Sequence, residues 1–340
     1  MVKRLINRRA AKPVIGLLIL AIVCSAAGYT FYTAYQFKKM TREWYQSLSK
    51  EPSALTESDT DLKQEQPEEQ GTPLFPKPRP LKPFTLLLIG VDSREGERAR
   101  SDTMMLAAVH PVRQRIYLLS IPRDSYMELP GRGFDKVNHA MAYGGPALLK
   151  ETLEQYFDVP IDRYITVDFE GFRQVVDELG GIQVNIKKRM KYTDPTDGTR
   201  IDLEPGLQVL NGKQALDYAR YRKSDIGRED SDAERISRQQ EILQALVKKG
   251  ESLQGVIKVF SLMDILGGHV KTDLSEAEIA SLLISYRDSQ KNLLLTDTLK
   301  GQDQRIWKNG LRVWYYLVEH AEKERIQHRL LEELKGKTAS

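Results

Sequence analysis

Short apolar runs at Phe84 to Ile89, Thr103 to Val109, Arg115 to Ile121, Tyr164 to Asp168 and Ile182 to Ile186 alternate with polar turns. Each is rich in β-branched or aromatic residues or is a brief unbroken apolar stretch, which is the pattern of sheet strands. Apolar residues at helical spacing separate them at Pro146 to Phe157 and Phe169 to Leu179. The same spacing dominates later, at Gly212 to Ala219, Ala233 to Lys248, Leu253 to Leu266, Ser275 to Ser285 and Trp307 to Leu334. The pattern predicts an α/β fold, a sheet covered by helices. Within the last segment Trp307, Leu311, Trp314 and Leu317 form a stripe that reads as the core-facing side of a helix.

A different pattern opens the chain. Lys3, Arg4, Arg8, Arg9 and Lys12 precede a stretch from Pro13 to Phe37 that holds no charged residue. At about 1.5 Å per helical residue, that stretch exceeds a hydrocarbon core of roughly 30 Å. The basic flank places residues 1–12 in the cytoplasm and everything after the span outside it. Tyr29, Phe31, Tyr32, Tyr35 and Phe37 crowd the outer end, where amphipathic rings sit among headgroups. The expectation is a single-pass anchor over 13–37; Ser25, Ala26 and Ala27 offer the competing reading of a cleaved secretory signal. The single cysteine, Cys24, lies inside the span and follows Val23 rather than the small residue a lipoprotein site wants. The external part therefore has no disulfide.

Residues 38–83 read as an extracytoplasmic spacer. From Glu51 to Pro83 the chain is rich in proline and acid, and Pro73, Pro76, Pro78, Pro80 and Pro83 favour extended polyproline geometry. Residues 84–340 then suit one large domain. The formal net charge is +4, but the five cytoplasmic cations account for it and leave the external part close to neutral. A nucleic-acid partner lacks its electrostatic footprint.

Local charge is more informative. Asp92 follows the run that ends at Ile89, Gly90 and Val91, at the carboxyl end of a strand, where ligands of open α/β sheets bind. Asp102 opens the next strand. Two carboxylates on neighbouring strand ends repel and call for a cation, and their hard oxygens favour magnesium or manganese. Arg123 enters after Ile121 and Pro122 from the same edge, and its planar fork suits phosphate oxygens. Arg94, Arg98, Arg100 and Asp124 belong to this cluster. A second cluster gathers Arg220, Arg222, Arg228, Arg235 and Arg238. Arg235, Arg238 and Gln239 share one helix face, with Asp230, Ser231 and Asp232 at its amino end. Arg220 and Arg222 reach one ligand only if the preceding helix ends near Arg220. The competing reading for each residue is mutual ion pairing at a solvated edge.

Other catalytic signatures are missing from the sequence. The five histidines lack zinc-ligand spacing, no Gly-x-Ser-x-Gly elbow occurs, and Gly206 to Gln214 has the wrong spacing and ending for a phosphate loop.

As a set, IGVDS (Ile89 to Ser93), RSDTMM (Arg100 to Met105), SIPRDS (Ser120 to Ser125), DKVNHAMAYGG (Asp135 to Gly145), DFEGF and LGGI near Asp168 and Gly180, LNGKQALDYARYR (Leu210 to Arg222) and DAERISRQQ (Asp232 to Gln240) resemble the LytR-CpsA-Psr family. The match runs in unbroken order over core motifs from 84 to 248. The resemblance implies a mixed central β-sheet covered by helices on both faces, with a tunnel for a polyprenyl chain. It implies a membrane-anchored phosphotransferase that moves a glycopolymer, such as wall teichoic acid, from a polyprenyl pyrophosphate carrier to peptidoglycan. The acceptor it implies is the hydroxyl at carbon 6 of N-acetylmuramic acid.

By motif position the resemblance assigns Asp92 and Asp102 to magnesium and Arg100 and Arg123 to the pyrophosphate. Arg220, Arg222, Arg235 and Gln239 complete the catalytic phosphate pocket, Lys136 joins as a further substrate contact, and Asp124 and Arg238 are structural partners. A pyrophosphate is already activated, so alignment and charge stabilisation suffice, and water in place of the sugar hydroxyl gives a pyrophosphatase side activity. The alternative from another class is a noncatalytic envelope protein that binds polyprenyl-linked glycans or regulates wall metabolism, which needs the arginines but not a metal-binding carboxylate pair.

Overall fold

The structure is a computed structural model that describes residues 32, 34–48, 80–92, 100–196, 198–251, 267–286, 294–308 and 310–335. The predicted span therefore lies outside the described residues except at its outer end. Arg94, Arg98 and the helix expected over Leu253 to Leu266 also lie outside them. Among the described residues no helix is long and apolar enough to cross a membrane.

In chain order the elements are α1 (34–44), β1 (Phe84–Asp92), β2 (Arg100–His110), β3 (Arg115–Ser120), β4 (Tyr126–Leu129), β5 (Gly133–Lys136), α2 (Val137–Phe157), β6 (Arg163–Asp168), α3 (Phe169–Glu178) and β7 (Ile182–Ile186). There follow β8 (Met190–Thr193), β9 (Arg200–Leu203), β10 (Gly206–Leu210), α4 (Gly212–Arg220), α5 (Asp232–Glu251), β11 (Val270–Thr272), α6 (Glu276–Ser285), β12 (Leu294–Thr298), β13 (Gln302–Lys308), β14 (Leu311–Leu317) and α7 (His320–Lys335).

Six strands form the central sheet in the order β11-β6-β1-β2-β3-β12. It is mixed: β1 runs parallel to β6 and β12 parallel to β3, while β2 is antiparallel to both β1 and β3. Both faces are covered, which explains why Phe84 to Val91 reads as an almost continuous apolar run. Leu87, Ile89, Leu106 and Leu119 point to the face packed by Leu149, Leu153 and Phe157 of α2 and by Ile326 and Leu330 of α7. Leu86, Met105, Ala107 and Leu118 point to the other face, against Leu243 of α5 and Ile279 and Leu282 of α6. A second core gathers Val176, Ile182, Ile201, Tyr218 and Ile242 from α3, β7, β9, α4 and α5.

The close packing of α3 on α4 depends on Gly212, where a Cβ would run into the carbonyl of Arg173. Gly212 N donates to Asp177 Oδ1 at 2.7 Å, and Asn211 caps α4 in a full capping box with Gln214.

Two expectations change. The stripe from Trp307 to Leu317 is not a helix side: β13 and β14 form an antiparallel hairpin, and Trp307, Leu311 and Trp314 are exposed. The apolar spacing is helical, but Asn-Gly in the sequence between the two runs is a hairpin signal, and Gly310 stands before β14 at φ +77°. Residues 38–48, expected in the spacer, belong to the folded body. Phe37, Met40 and Trp44 of α1 are buried against Val270, Gln46 N donates to Thr272 O, and the Tyr164 hydroxyl donates to Gln46 O.

Candidate active site

One edge of the central sheet collects the predicted residues. The carboxyl ends of β1, β3, β6 and β12 and the amino end of β2 meet there, as their pairing requires. Asp92 ends β1 and stands opposite Arg100 in register. The pairing then slips: Val91 faces Ser101 and Gly90 faces Thr103, so Asp102 is the extra residue of a β-bulge. A bulge re-aims its side chain out of the ladder. Asp102 is turned toward Arg123, whose Nη1 donates to Asp102 Oδ1 at 2.6 Å.

Arg123 sits in a tight turn after β3, where Ser125 N and Oγ both donate to Pro122 O. The first turn of α2 abuts this loop, with Val137 N donating to Ser125 O and Asn138 N to Arg123 O. A helix amino end so placed favours a nearby anion. Lys136, the residue before α2, pairs with Asp124 at 2.7 Å. Asp124 thus bridges Lys136 and the loop that carries Arg123.

The second cluster meets the first. α4 ends at Arg220, as convergence of Arg220 and Arg222 requires, and Tyr221 leaves in extended geometry at φ −54°, ψ 125°. The Arg220 guanidinium lies 4.7 Å from the centre of the Phe169 ring. Arg235 is buried on the first turns of α5, with its Nη2 2.6 Å from Asp232 Oδ1. That contact is poorly aligned: both Asp232 oxygens and Arg235 Nε are buried without a hydrogen-bond partner. Gln239 follows one turn after Arg235 on the same face. The neighbouring Gln240 instead ties α5 to the sheet by donating to Ser120 Oγ, Asp297 O and Thr298 Oγ1.

Electrostatics link the clusters. Burial opposes the charge on Arg123, but Asp102, with Asp232 and Asp124 beyond it, outweighs burial and raises its pKa. Burial lowers the pKa of Arg235, Asp232 and Asp102 oppose the shift, and Arg123 and Arg222 add to it. Arg235 is therefore a buried cation among cations, which an anion of high charge would relieve.

Arg238 has a different place. It is buried, bonds to Asp230, Tyr218 O and Tyr221 O, and holds the segment after α4 against α5. Asp230 also pairs with Lys188. Arg228 is exposed and pairs with Glu234 on the surface. Asp232 is the member that spacing did not single out: it stands at the amino end of α5, its oxygens are buried, it pairs with Arg235, and its charge also acts on Arg123.

Beside this edge, a cavity of about 250 Å³ is lined by Val91, Met141, Pro146, Thr166, Asp168 and His269, among others. His269 Nδ1 lies 2.8 Å from Asp168 Oδ2, and Asp168 Oδ1 caps α3 by accepting from Gly171 N.

Asp92 and Asp102 offer hard oxygen donors from adjacent strand ends, and Asp232, ion-paired with Arg235, adds negative charge to the same cluster. That donor set fits a magnesium or manganese ion that keeps part of its water shell. Among the described residues no group of three or more acidic, histidine or cysteine side chains forms a closed metal cage.

Known proteins resemble this chain over most of its length. Residues 45–332 match the LytR_cpsA_psr family. The polyisoprenyl-teichoic acid–peptidoglycan teichoic acid transferase TagU of Oceanobacillus iheyensis is 38% identical over 247 residues, covering 71% of this chain and 73% of that one. TagU of Bacillus subtilis is 31% identical over 337 residues, covering 96% and 98%. The crystal structure of B. subtilis TagV superposes with a TM-score of 0.65 at 30% identity, covering 75% of this chain and 98% of that one. A structure of TagT bound to LIIa-WTA gives 0.61 at 32% identity, covering 75% and 91%.

Proposed function

This chain belongs to the LytR-CpsA-Psr family, and from that premise we propose that it transfers teichoic acid from a polyprenyl pyrophosphate carrier to peptidoglycan, outside the membrane to which the uncharged segment beginning at Pro13 anchors it. The relatives carry that activity in their names. The observation that supports it in this chain is the bulged Asp102 held 2.6 Å from Arg123, beside a buried Arg235 whose Nε has no partner.

The acceptor is the hydroxyl at carbon 6 of N-acetylmuramic acid. Its oxygen forms a new bond to the phosphorus that carries the glycopolymer. The bond to the polyprenyl phosphate breaks in line, that phosphate leaves on the carrier, and the hydroxyl proton passes to water. Arg123 and Arg235, with Arg100, Arg220, Arg222 and Gln239, hold the pyrophosphate oxygens and stabilise the charge that grows on them. Arg123 is held in a tight turn and Arg235 on a buried helix turn, so both are positioned before substrate arrives. Lys136 and the amino end of α2 add positive potential beside Arg123. Asp92 and Asp102 would hold magnesium or manganese, which when bound offsets negative charge on the pyrophosphate. Asp102 would then serve both Arg123 and the ion. The cavity beside Val91, Met141 and Pro146 is where the polyprenyl chain enters. Water in the acceptor position gives pyrophosphate hydrolysis.

The full-length protein, a polyprenyl pyrophosphate-linked teichoic acid, uncross-linked peptidoglycan and magnesium test the proposal. The expected products are polyprenyl phosphate and a teichoic acid joined to muramic acid by a phosphodiester, lost on chelation and restored by magnesium. Donor binding with neither product would replace the transferase with a noncatalytic glycan-binding protein.

A further inference from the structure

The hairpin of β13 and β14 carries an outward face of aromatic and charged residues. Pairing places Arg305 opposite Trp314, Trp307 opposite Arg312 and Asp303 opposite Tyr316, so these six share one side. Trp307 is 69% and Trp314 51% exposed, and both arginines are exposed with them. The Arg305 guanidinium lies 4.6 Å from the centre of the Trp314 ring. The two indoles are diagonal neighbours across the strands, a relationship of about 7–8 Å in backbone spacing. The result is a flat platform on which aromatic rings and guanidiniums alternate.

The opposite side fixes the platform beside the phosphate pocket. Tyr315 is buried and its ring lies 4.8 Å from that of Tyr126. Lys308 pairs with Asp135 at 2.8 Å and donates to Phe134 O at 3.0 Å. Tyr316 N donates to Asp124 O at 2.9 Å, and Asp124 is the partner of Lys136 and the neighbour of Arg123. The platform strand is thus bonded directly to the loop that carries the pyrophosphate clamp.

We propose that this Trp-Arg face binds the glycan strand of the peptidoglycan acceptor, which rests on the transferase function proposed above. The donor occupies the arginine pocket, so the second substrate needs a surface continuous with it. Sugar rings stack their C–H faces on indoles, and carboxylates of stem peptides meet Arg305 and Arg312. A bilayer surface fits less well. The aliphatic residues Ile306 and Val313 lie on the other side of the hairpin, so nothing aliphatic on this face would enter hydrocarbon, and exposed Asp303 would meet anionic headgroups.

Full-length protein with Trp307→Ala, Trp314→Ala or both is compared with the wild type in three measurements. They are cosedimentation with teichoic-acid-free peptidoglycan sacculi, cosedimentation with phosphatidylglycerol vesicles, and turnover of the donor, both as transfer with the acceptor varied and as hydrolysis by water. The double variant should lose about tenfold or more in sacculus affinity and raise the acceptor KM by a similar factor. Donor hydrolysis by water should stay unchanged, which also reports an intact fold. Trp314→Tyr should recover part of the binding. Unchanged sacculus binding in the double variant, or a loss confined to vesicles, would overturn the platform and leave the transferase standing. A wild type that binds sacculi through the two tryptophans yet transfers nothing would remove the transferase and keep the glycan surface.

Discussion

Arg123 and Asp102 meet at 2.6 Å because a β-bulge takes Asp102 out of its strand ladder and a tight turn after β3 swings Arg123 back toward it. A phosphate-clamping fork and a metal-binding carboxylate therefore occupy the same few ångströms, and a change at either should be felt as a change in both functions.

For the carboxylates, Asp102→Ala or Asp92→Ala should abolish transfer; Asp102→Ala should also lower the unfolding temperature, because it strips the part-buried Arg123 of its partner, whereas Asp92→Ala should leave that temperature near the wild type. Removing one of two neighbouring carboxylates relieves repulsion in the metal-free protein. Normal turnover of both variants at limiting magnesium would rule out the metal assignment.

For the fork, Arg123→Lys keeps a charge but loses bidentate geometry. Transfer should fall about tenfold to a hundredfold, on the order of 1 to 3 kcal/mol for charge-assisted hydrogen bonds. Arg189 is the control, since it is 46% exposed and pairs only with the surface carboxylates Asp202 and Glu204. Arg189→Lys should cost almost nothing. Equal rates for the two variants would show that diffuse positive potential, not geometry, serves the reaction.

Much of this edge was legible in the sequence, because strand ends, turns and charges are local features. Asp92 follows an apolar run and Arg123 follows Ile121 and Pro122, and each lies where that position predicts. The bulge at Asp102 was not legible, since it depends on register between two strands. Nor was the role of Asp232, which has the same sequence signature whether it caps a helix or pairs with Arg235. The hairpin of β13 and β14 was hidden because Trp307, Leu311, Trp314 and Leu317 keep a helical spacing, although in the paired strands Leu311 and Trp314 face opposite sides; Asn309-Gly310 in the sequence was the signal for a hairpin. α1 was hidden at the junction of a span and an acidic spacer, where composition outweighed Met40 and Trp44.

Acid should weaken the attachment of that hairpin. Burial works to raise the pKa of Asp135, but hydrogen bonds from Lys308 and His139 and from the Lys136 backbone outweigh it and take it down to about 2. The unfolded chain titrates near 4. The stabilisation is therefore complete above about pH 4 and disappears as pH falls through about 2, worth on the order of 2 kcal/mol. Urea midpoints at pH 7 and 2.5 should differ less in Asp135→Asn than in the wild type, and an identical difference would remove Asp135 as the cause.

Gly212→Ala should destabilise the fold although Ala favours helices. The added methyl would strike the Arg173 carbonyl and crowd the Asp177 carboxylate that accepts from Gly212 N. Separation of α3 from α4 should cost about 1–3 kcal/mol, the usual range for overpacking. Because α4 ends at Arg220, donor affinity should fall together with Tm. A variant with lower Tm but unaltered donor affinity would show that the position of Arg220 does not depend on this contact.

The folded unit should begin at α1 and not at β1. Phe37, Met40 and Trp44 are at most 6% exposed, and they cover Val270 on the edge strand β11. A chain shortened to begin at Pro80 uncovers that cluster and takes away Gln46, which accepts from the Tyr164 hydroxyl and pairs with Thr272. Losing a buried tryptophan alone costs about 3–5 kcal/mol in a packed core. The shortened chain should therefore unfold well below one that begins at Tyr32, and Trp44→Ala in the longer chain should reproduce most of the drop. Equal melting temperatures for the two lengths would mean that α1 rests on the domain without stabilising it, and the folded boundary would return to Phe84.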